Sequence, residues 1–169
     1  MASEPKNPPR PEPPYRPGAG PPLDEIDRAI LRVLARDARM PNNAIAEQVG
    51  IAPSTCHGRI GALRERGVIR GFHTEIDLST LGLTLQALIA VRLRTHTRSD
   101  IDVFVRHVSE RPGVVSVFHV AGVDDYLLHV AVQDSDALRD FVLDHLTSHP
   151  AVQHTETSLI FERRYGPVF

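Results

Sequence analysis

From Asp24 to Phe72 the apolar residues recur at helical spacing, and glycines and prolines interrupt them. Ile26, Ile30, Val33 and Leu34 share one face of a first helix. It should begin at Asp24, a good N-cap, with Glu25 and Asp27 in the first turn where the helix dipole favours acids. It should end near Arg39, ahead of Pro41. A second helix runs from about Asn42 to Val49, with Ile45 and Val49 inward and Gly50 as its stop. Pro53 suits the first turn of a third helix, although Ala52 is a poor cap for it. Cys56, Ile60 and Leu63 form the buried face of that third helix, which leaves Ser54, Thr55, His57, Gly58 and Arg59 pointing elsewhere. Gly67 to Phe72 reads as a wing.

Beyond a linker over 73–82 the period changes. Leu83 to Leu93 is almost continuously apolar and strand-like. Ser99 opens a helix whose buried face is Phe104, Val105 and Val108, and Pro112-Gly113 breaks it. Val114–Ala121 and Tyr126–Val132 read as strands joined by the turn residues Gly122-Val123-Asp124-Asp125. Ser135 should cap a further helix with Leu138, Phe141, Val142 and Leu146 inward, and Val152–Phe161 supplies a last strand. The fold class is therefore α+β. A winged helix-turn-helix over 23–72 precedes a ferredoxin-like βαββαβ domain over 83–162, and 163–169 forms a C-terminal tail. Helices on one face of such a sheet leave the other face apolar and uncovered, which argues for dimerisation.

Composition narrows the function. Residues 1–22 hold nine of the 14 prolines and almost no large apolar side chain, so they read as a disordered tail. The longest apolar run, Ala87 to Val91, is far short of a membrane span of roughly 20 residues. No apolar stretch follows the N-terminal charges as in a secretory signal, and the single cysteine, Cys56, allows no intrachain disulfide; the chain reads as cytoplasmic. The net charge of −2 conceals an asymmetry. Residues 23–72 carry eight arginines against six acids, and 73–169 carry eight against 13. Four arginines and one acid fall within 51–72, a basic patch on the second half of the helix-turn-helix of the kind that contacts phosphates.

Three segments in this order resemble the Lrp/AsnC, or feast/famine, family of bacterial transcription regulators. They are Leu23-Asp24-Glu25-Ile26-Asp27-Arg28-Ala29-Ile30-Leu31, the line through Ser54, Thr55, Cys56, Arg59 and Leu63 to Gly71-Phe72, and Gly122-Val123-Asp124-Asp125-Tyr126-Leu127-Leu128. The last is similar to the family's Gly-x-x-Asp-Tyr loop. Arg39 to Ala44 and Pro53 to Arg59 are also similar to the actinobacterial branch that regulates alanine dehydrogenase. The resemblance implies a double-stranded-DNA-binding homodimer that assembles further, commonly to an octamer, and an amino-acid effector held between dimers. It implies an effector site walled by Gly122, Asp124, Asp125 and Tyr126 on one side and by Thr155 and Thr157 on the other. Alanine or another small amino acid would be the ligand, with no cofactor and no membrane partner.

The residues suit that chemistry. Asp124 or Asp125 can face an ammonium group, while backbone N–H groups and threonine hydroxyls receive a carboxylate. The same Gly-x-Asp-Asp also suits a plain hairpin turn. For DNA, Arg59 with Ser54 or Thr55 are expected at bases or phosphates, Arg64 and Arg70 at phosphates, and His57 as a further contact. No nucleophile elbow, phosphate loop or zinc-ligand spacing points to an enzyme. His145 with His149, and His119 with His129 across paired strands, are isolated pairs, too few for a structural zinc site. The rival reading is an architectural DNA-binding protein that senses nothing; the acidic second half speaks against a DNA-coating role.

Overall fold

The computed structural model describes residues 21–94 and 97–166. The tail expected over 1–22 lies outside the described residues except for Pro21 and Pro22. The chain divides into two compact units with the boundary between Thr74 and Glu75.

The first unit is three helices, α1 (Glu25–Arg36), α2 (Asn42–Val49) and α3 (Pro53–Glu65). Asp24 caps α1 through its carboxylate, which accepts the Asp27 N–H at 2.7 Å. The chain leaves α1 at Asp37, a turn short of the expected Arg39, so the cap is set before Pro41 is reached. Gly50 closes α2, and Pro53 opens α3 with no side-chain cap on Ala52. Ile30, Ile45, Ala46, Cys56 and Leu63 make the core, with Ile60 and Ile69 packed partly against it. Cys56 is therefore a small buried hydrophobe, and burial pushes its thiol pKa up, away from reactivity. Among the described residues the wing forms no strand. Gly67 turns the chain, and Val68 and Ile69 both donate to the Leu63 carbonyl, at 2.9 and 3.1 Å. The described residues of this unit form only helices, so among them residues 67–72 have no strand to pair with.

The second unit runs from a 3-10 turn (Leu78–Leu81) through β1 (Leu85–Leu93), α4 (Arg98–Ser109), β2 (Val114–His119), β3 (Tyr126–Val132), α5 (Ser135–Val142) and β4 (Val152–Ile160). The strands form one antiparallel sheet in the order β2-β3-β1-β4, the ferredoxin-like arrangement. Two caps fall one or two residues earlier than the sequence suggests. Thr97, not Ser99, caps α4, and Asp134, not Ser135, caps α5 by accepting the Ala137 N–H at 2.8 Å. A five-residue π turn, Leu143–Thr147, extends α5 and brings Leu146 into the core. Ala87, Ile89, Val91 and Leu93 of β1 alternate into the helix-covered face with Phe104, Val108, Leu138 and Phe141. The register places Leu88, Phe118 and Leu127 on the opposite face, where Leu88 is 37% and Phe118 51% exposed.

Candidate nucleic-acid interface and effector site

α3 exposes Ser54, Thr55, His57 and Gly58 in its first two turns and Arg64 nearer its end. These short polar groups stand on the side away from Cys56 and Leu63. Arg70, also exposed, follows in the segment after Gly67 and has an interaction of its own within the chain. Gly58 sits mid-helix, where glycine is about 1 kcal/mol less favourable than alanine. A Cβ added there would meet nothing within 4 Å, so no packing inside the chain demands glycine.

Arg59 stands apart from this group. Its Nη1 donates to Asp24 Oδ2 at 2.7 Å and to Asp27 Oδ1 at 2.8 Å, so the guanidinium the sequence assigns to bases or phosphates is held against the start of α1. The Asp27 N–H and the Arg59 guanidinium together hold Asp24 below its ordinary carboxylate pKa. Arg59 is pushed up by the same two carboxylates, Asp24 first. Sequence reasoning missed Asp24 and Asp27 as its partners, because residues 35 and 32 positions away carry no local spacing signal.

The expected effector loop lies between β2 and β3. Gly122 adopts φ +149°, a backbone region other residues avoid. The two aspartates that the sequence leaves equivalent differ in the structure. Asp125 Oδ2 accepts the Leu93 N–H at 2.8 Å, beside the register shift in β1 between Arg92 and Leu93. Its backbone N–H donates to Val91 and its carbonyl accepts from Val120, so Asp125 stitches the loop to the sheet. Asp124 Oδ1 instead faces Arg92 Nη2 at 3.4 Å, and Arg92 Nε donates to the Val123 carbonyl at 2.9 Å. Arg92 is a second residue the sequence does not flag; its signal is its place as the first cation after the apolar run of β1.

Tyr126 is 3% exposed and stacks on His119, 4.8 Å between ring centroids, with Phe104 5.6 Å away on its other contacts. Burial first, then the nearby Asp125 and Asp102 charges, pushes its phenol pKa up. It also lines an open cleft of about 550 Å³ beneath α4 with Asp102, Arg106 and His119. Thr155 pairs with Val91 and Thr157 with Ile89, while Tyr126 pairs with Val91 from the other side. Tyr126 and Thr155 thus occupy one sheet face with β1 between them, about 10 Å apart at ordinary strand spacing. In one protomer Thr155 thus lies across β1 from Tyr126, and Thr157 across it from Leu128.

The histidine pairs part company. His119 pairs with Tyr126 and His129 with Ser116, so the two are not cross-strand partners. His145 and His149 instead gather around His107, at centroid distances of 6.2 and 5.1 Å. Among the described residues no group of three or more His, Cys, Asp or Glu side chains is arranged to hold a metal ion, and no helix is long and apolar enough to cross a membrane.

Comparison with known proteins places both units. Residues 23–70 match the winged helix-turn-helix DNA-binding model, and residues 86–166 match the Lrp/AsnC ligand binding domain. The chain is 54% identical over 144 residues to the HTH-type transcriptional regulator AldR of Mycolicibacterium smegmatis, covering 85% of this chain and 84% of that one. It is 51% identical to AldR of Mycobacterium tuberculosis, covering 85% and 80%. A crystal structure of the latter superposes with a TM-score of 0.67 at 46% identity, covering 85% of this chain and 97% of that one. A transcriptional regulator of Neisseria meningitidis in complex with L-Met superposes with a TM-score of 0.80 at 33% identity, covering 87% and 95%. These relatives are named as regulators of transcription, not as enzymes. With a helix-turn-helix unit followed by a ligand-binding ferredoxin-like unit, the chain belongs to the Lrp/AsnC family of transcriptional regulators.

Proposed function

We propose that this regulator controls genes of amino-acid metabolism and that a small amino acid, alanine among the candidates, modulates its DNA binding or its assembly state. The carrying observation is the loop Gly122–Tyr126, held to the sheet by Asp125 so that the Asp124 carboxylate and neighbouring backbone stand at the sheet's end. A zwitterion's ammonium pairs with Asp124, and its carboxylate takes loop N–H groups and the hydroxyls of Thr155 and Thr157 from another copy. The Neisseria meningitidis relative is in complex with L-Met, which supports the amino-acid class without naming this chain's ligand.

On DNA, Ser54, Thr55 and His57 approach base edges in the major groove, and Arg64 and Arg70 touch phosphates. Two copies present their α3 helices about one DNA turn, roughly 34 Å, or a multiple of it apart. The uncovered sheet face with Leu88, Phe118 and Leu127 joins the two copies, and larger assemblies such as octamers form between dimers. Effector bound between dimers favours one assembly over another through its differential affinity for the two.

The test is binding to the DNA upstream of its own gene at fixed salt, titrated with each common amino acid. A shift with one amino acid or a small related set supports sensing, and Asp124→Ala should lose that shift while retaining DNA binding. Tight binding indifferent to every amino acid would instead make the protein an architectural DNA binder.

A further inference from the structure

We propose that Arg59 acts as a positioning residue, which with Asp24, Asp27 and Arg66 clamps α3 to the start of α1 and so sets the angle at which α3 meets DNA. The inference rests on the reading of α3 as the DNA-reading helix. Arg59 and Arg66 lie seven residues apart, two turns along α3, and so share one stripe that flanks the Cys56–Leu63 core face. Both reach acids at the start of α1, and the four charges alternate in sign.

Asp24 takes the Asp27 N–H on one oxygen and Arg59 Nη1 on the other, so one side chain both caps α1 and ties it to α3. The same Nη1 reaches Asp27 Oδ1. Arg66 Nη1 lies 4.0 Å from Asp27 Oδ2, and Arg66 Nη2 donates to the Pro21 carbonyl. Arg66 is drawn in far enough that its Nε is buried with no hydrogen-bond partner.

A phosphate contact through Arg59 Nη1 would require breaking two charge-assisted bonds of 2.7 and 2.8 Å. It would also weaken the compensation of Asp27, whose side chain is only 11% exposed, and uncompensated buried charge is strongly unfavourable. Half of the basic patch counted over 51–72 is therefore spent inside the unit. Arg64 and Arg70 remain as the cations of that segment outside the clamp.

Salt dependence separates a clamp from a contact. Each phosphate neutralised contributes about 0.9 to the slope of log K against log salt. Affinity for the duplex upstream of the protein's own gene is measured over a salt series, with melting temperature recorded for each variant. Arg59→Ala should weaken binding at least fivefold with the slope unchanged, Arg59→Lys should recover part of the loss, and Arg64→Ala should lower the slope by about 0.9. Asp27→Asn removes an acid and should nevertheless weaken binding at least fivefold, opposite to the gain that simple charge attraction predicts. A slope lowered by about 0.9 in Arg59→Ala, or affinity in Asp27→Asn equal to or above wild type, overturns the clamp. If the wild type itself binds no DNA, the reading of α3 fails instead. The clamp is then judged by a double-mutant cycle of Arg59→Ala and Asp27→Ala on melting of the full chain. Additive effects overturn it and coupling sustains it.

Discussion

Gly58 and Asp125 show how differently single residues of this chain answer to their surroundings. Gly58 has open space around the position its Cβ would take, so its lack of a side chain serves nothing inside the protein. Gly58→Ala should raise the stability of the helical unit by about 0.5–1 kcal/mol in urea denaturation. The added methyl group stands on the exposed face with Ser54 and His57, so the same variant should bind operator DNA more weakly. A gain in stability with unaltered affinity would remove that face from the DNA contact. Asp125, by contrast, is committed to the Leu93 N–H, so Asp125→Ala disturbs the sheet itself and is a poor probe of ligand binding. Asp124 is the informative neighbour, because its carboxylate faces only the Arg92 head group at 3.4 Å among the contacts described.

At the scale of elements, two junctions in the second unit carry sharp expectations. Gly113 turns from α4 into β2 at φ +88°, and a Cβ there would stand 2.9 Å from the Ala131 carbonyl oxygen. Ala131 also donates its N–H to the Gly113 carbonyl at 2.7 Å, so the backbone has no freedom to retreat. Gly113→Ala should therefore destabilise the unit by about 1–3 kcal/mol, measured by urea denaturation. The second junction is where α4 meets α5 and its π turn. His107 packs there against His145 and His149, and Arg111 Nη2 lies 3.1 Å from its Nδ1. Burial first, then the Arg111 charge and those of His149 and His145, holds the His107 pKa below its ordinary 6.5. The unfolded chain binds this proton more readily than the folded one. The stabilisation is therefore complete above pH 6.5 and is lost as pH falls through the lowered folded value. His129, lowered chiefly by burial and then by Arg163, acts in the same direction. Melting temperature should fall from pH 7.5 to pH 5, and His107→Gln should flatten the decline; an identical decline in that variant would assign it elsewhere.

For the whole molecule the governing fact is that, among the described residues, the sheet of the second unit has helices packed on one face. Leu88 and Phe118 stand on the uncovered face at 37% and 51% exposure, beside Leu127. The partly buried pair of His129 Nε2 and Gln86 Oε1, at 2.9 Å, satisfies polar groups on that face, which makes it easier to cover with a second copy. Light scattering on the eluting protein should give a dimer or larger for the wild type. Phe118→Arg and Leu88→Arg should shift it toward the monomer, because a charge placed there has no partner when covered. Variants that keep the wild-type mass would exclude this face as the contact between copies.

The sequence by itself determined the elements and their kinds, because periodicity, caps and breakers are local properties. Gly50, Pro53 and Pro112-Gly113 mark element ends, and Ile45, Cys56, Leu63, Phe104 and Leu146 stand in the cores where their spacing puts them. It also determined the family, since three motifs in order survive without any knowledge of contacts. The tertiary structure alone decided what long-range pairing decides. It turned Arg59 toward acids 32 and 35 residues away, separated the roles of Asp124 and Asp125, and gathered His107 with His145 and His149. It also left residues 67–72 without a strand, because a strand exists only where a partner backbone is in reach. A charged side chain has the same look in sequence whether it meets a phosphate or a carboxylate. Only the packing of α1 against α3 shows which partner Arg59 has within its own chain.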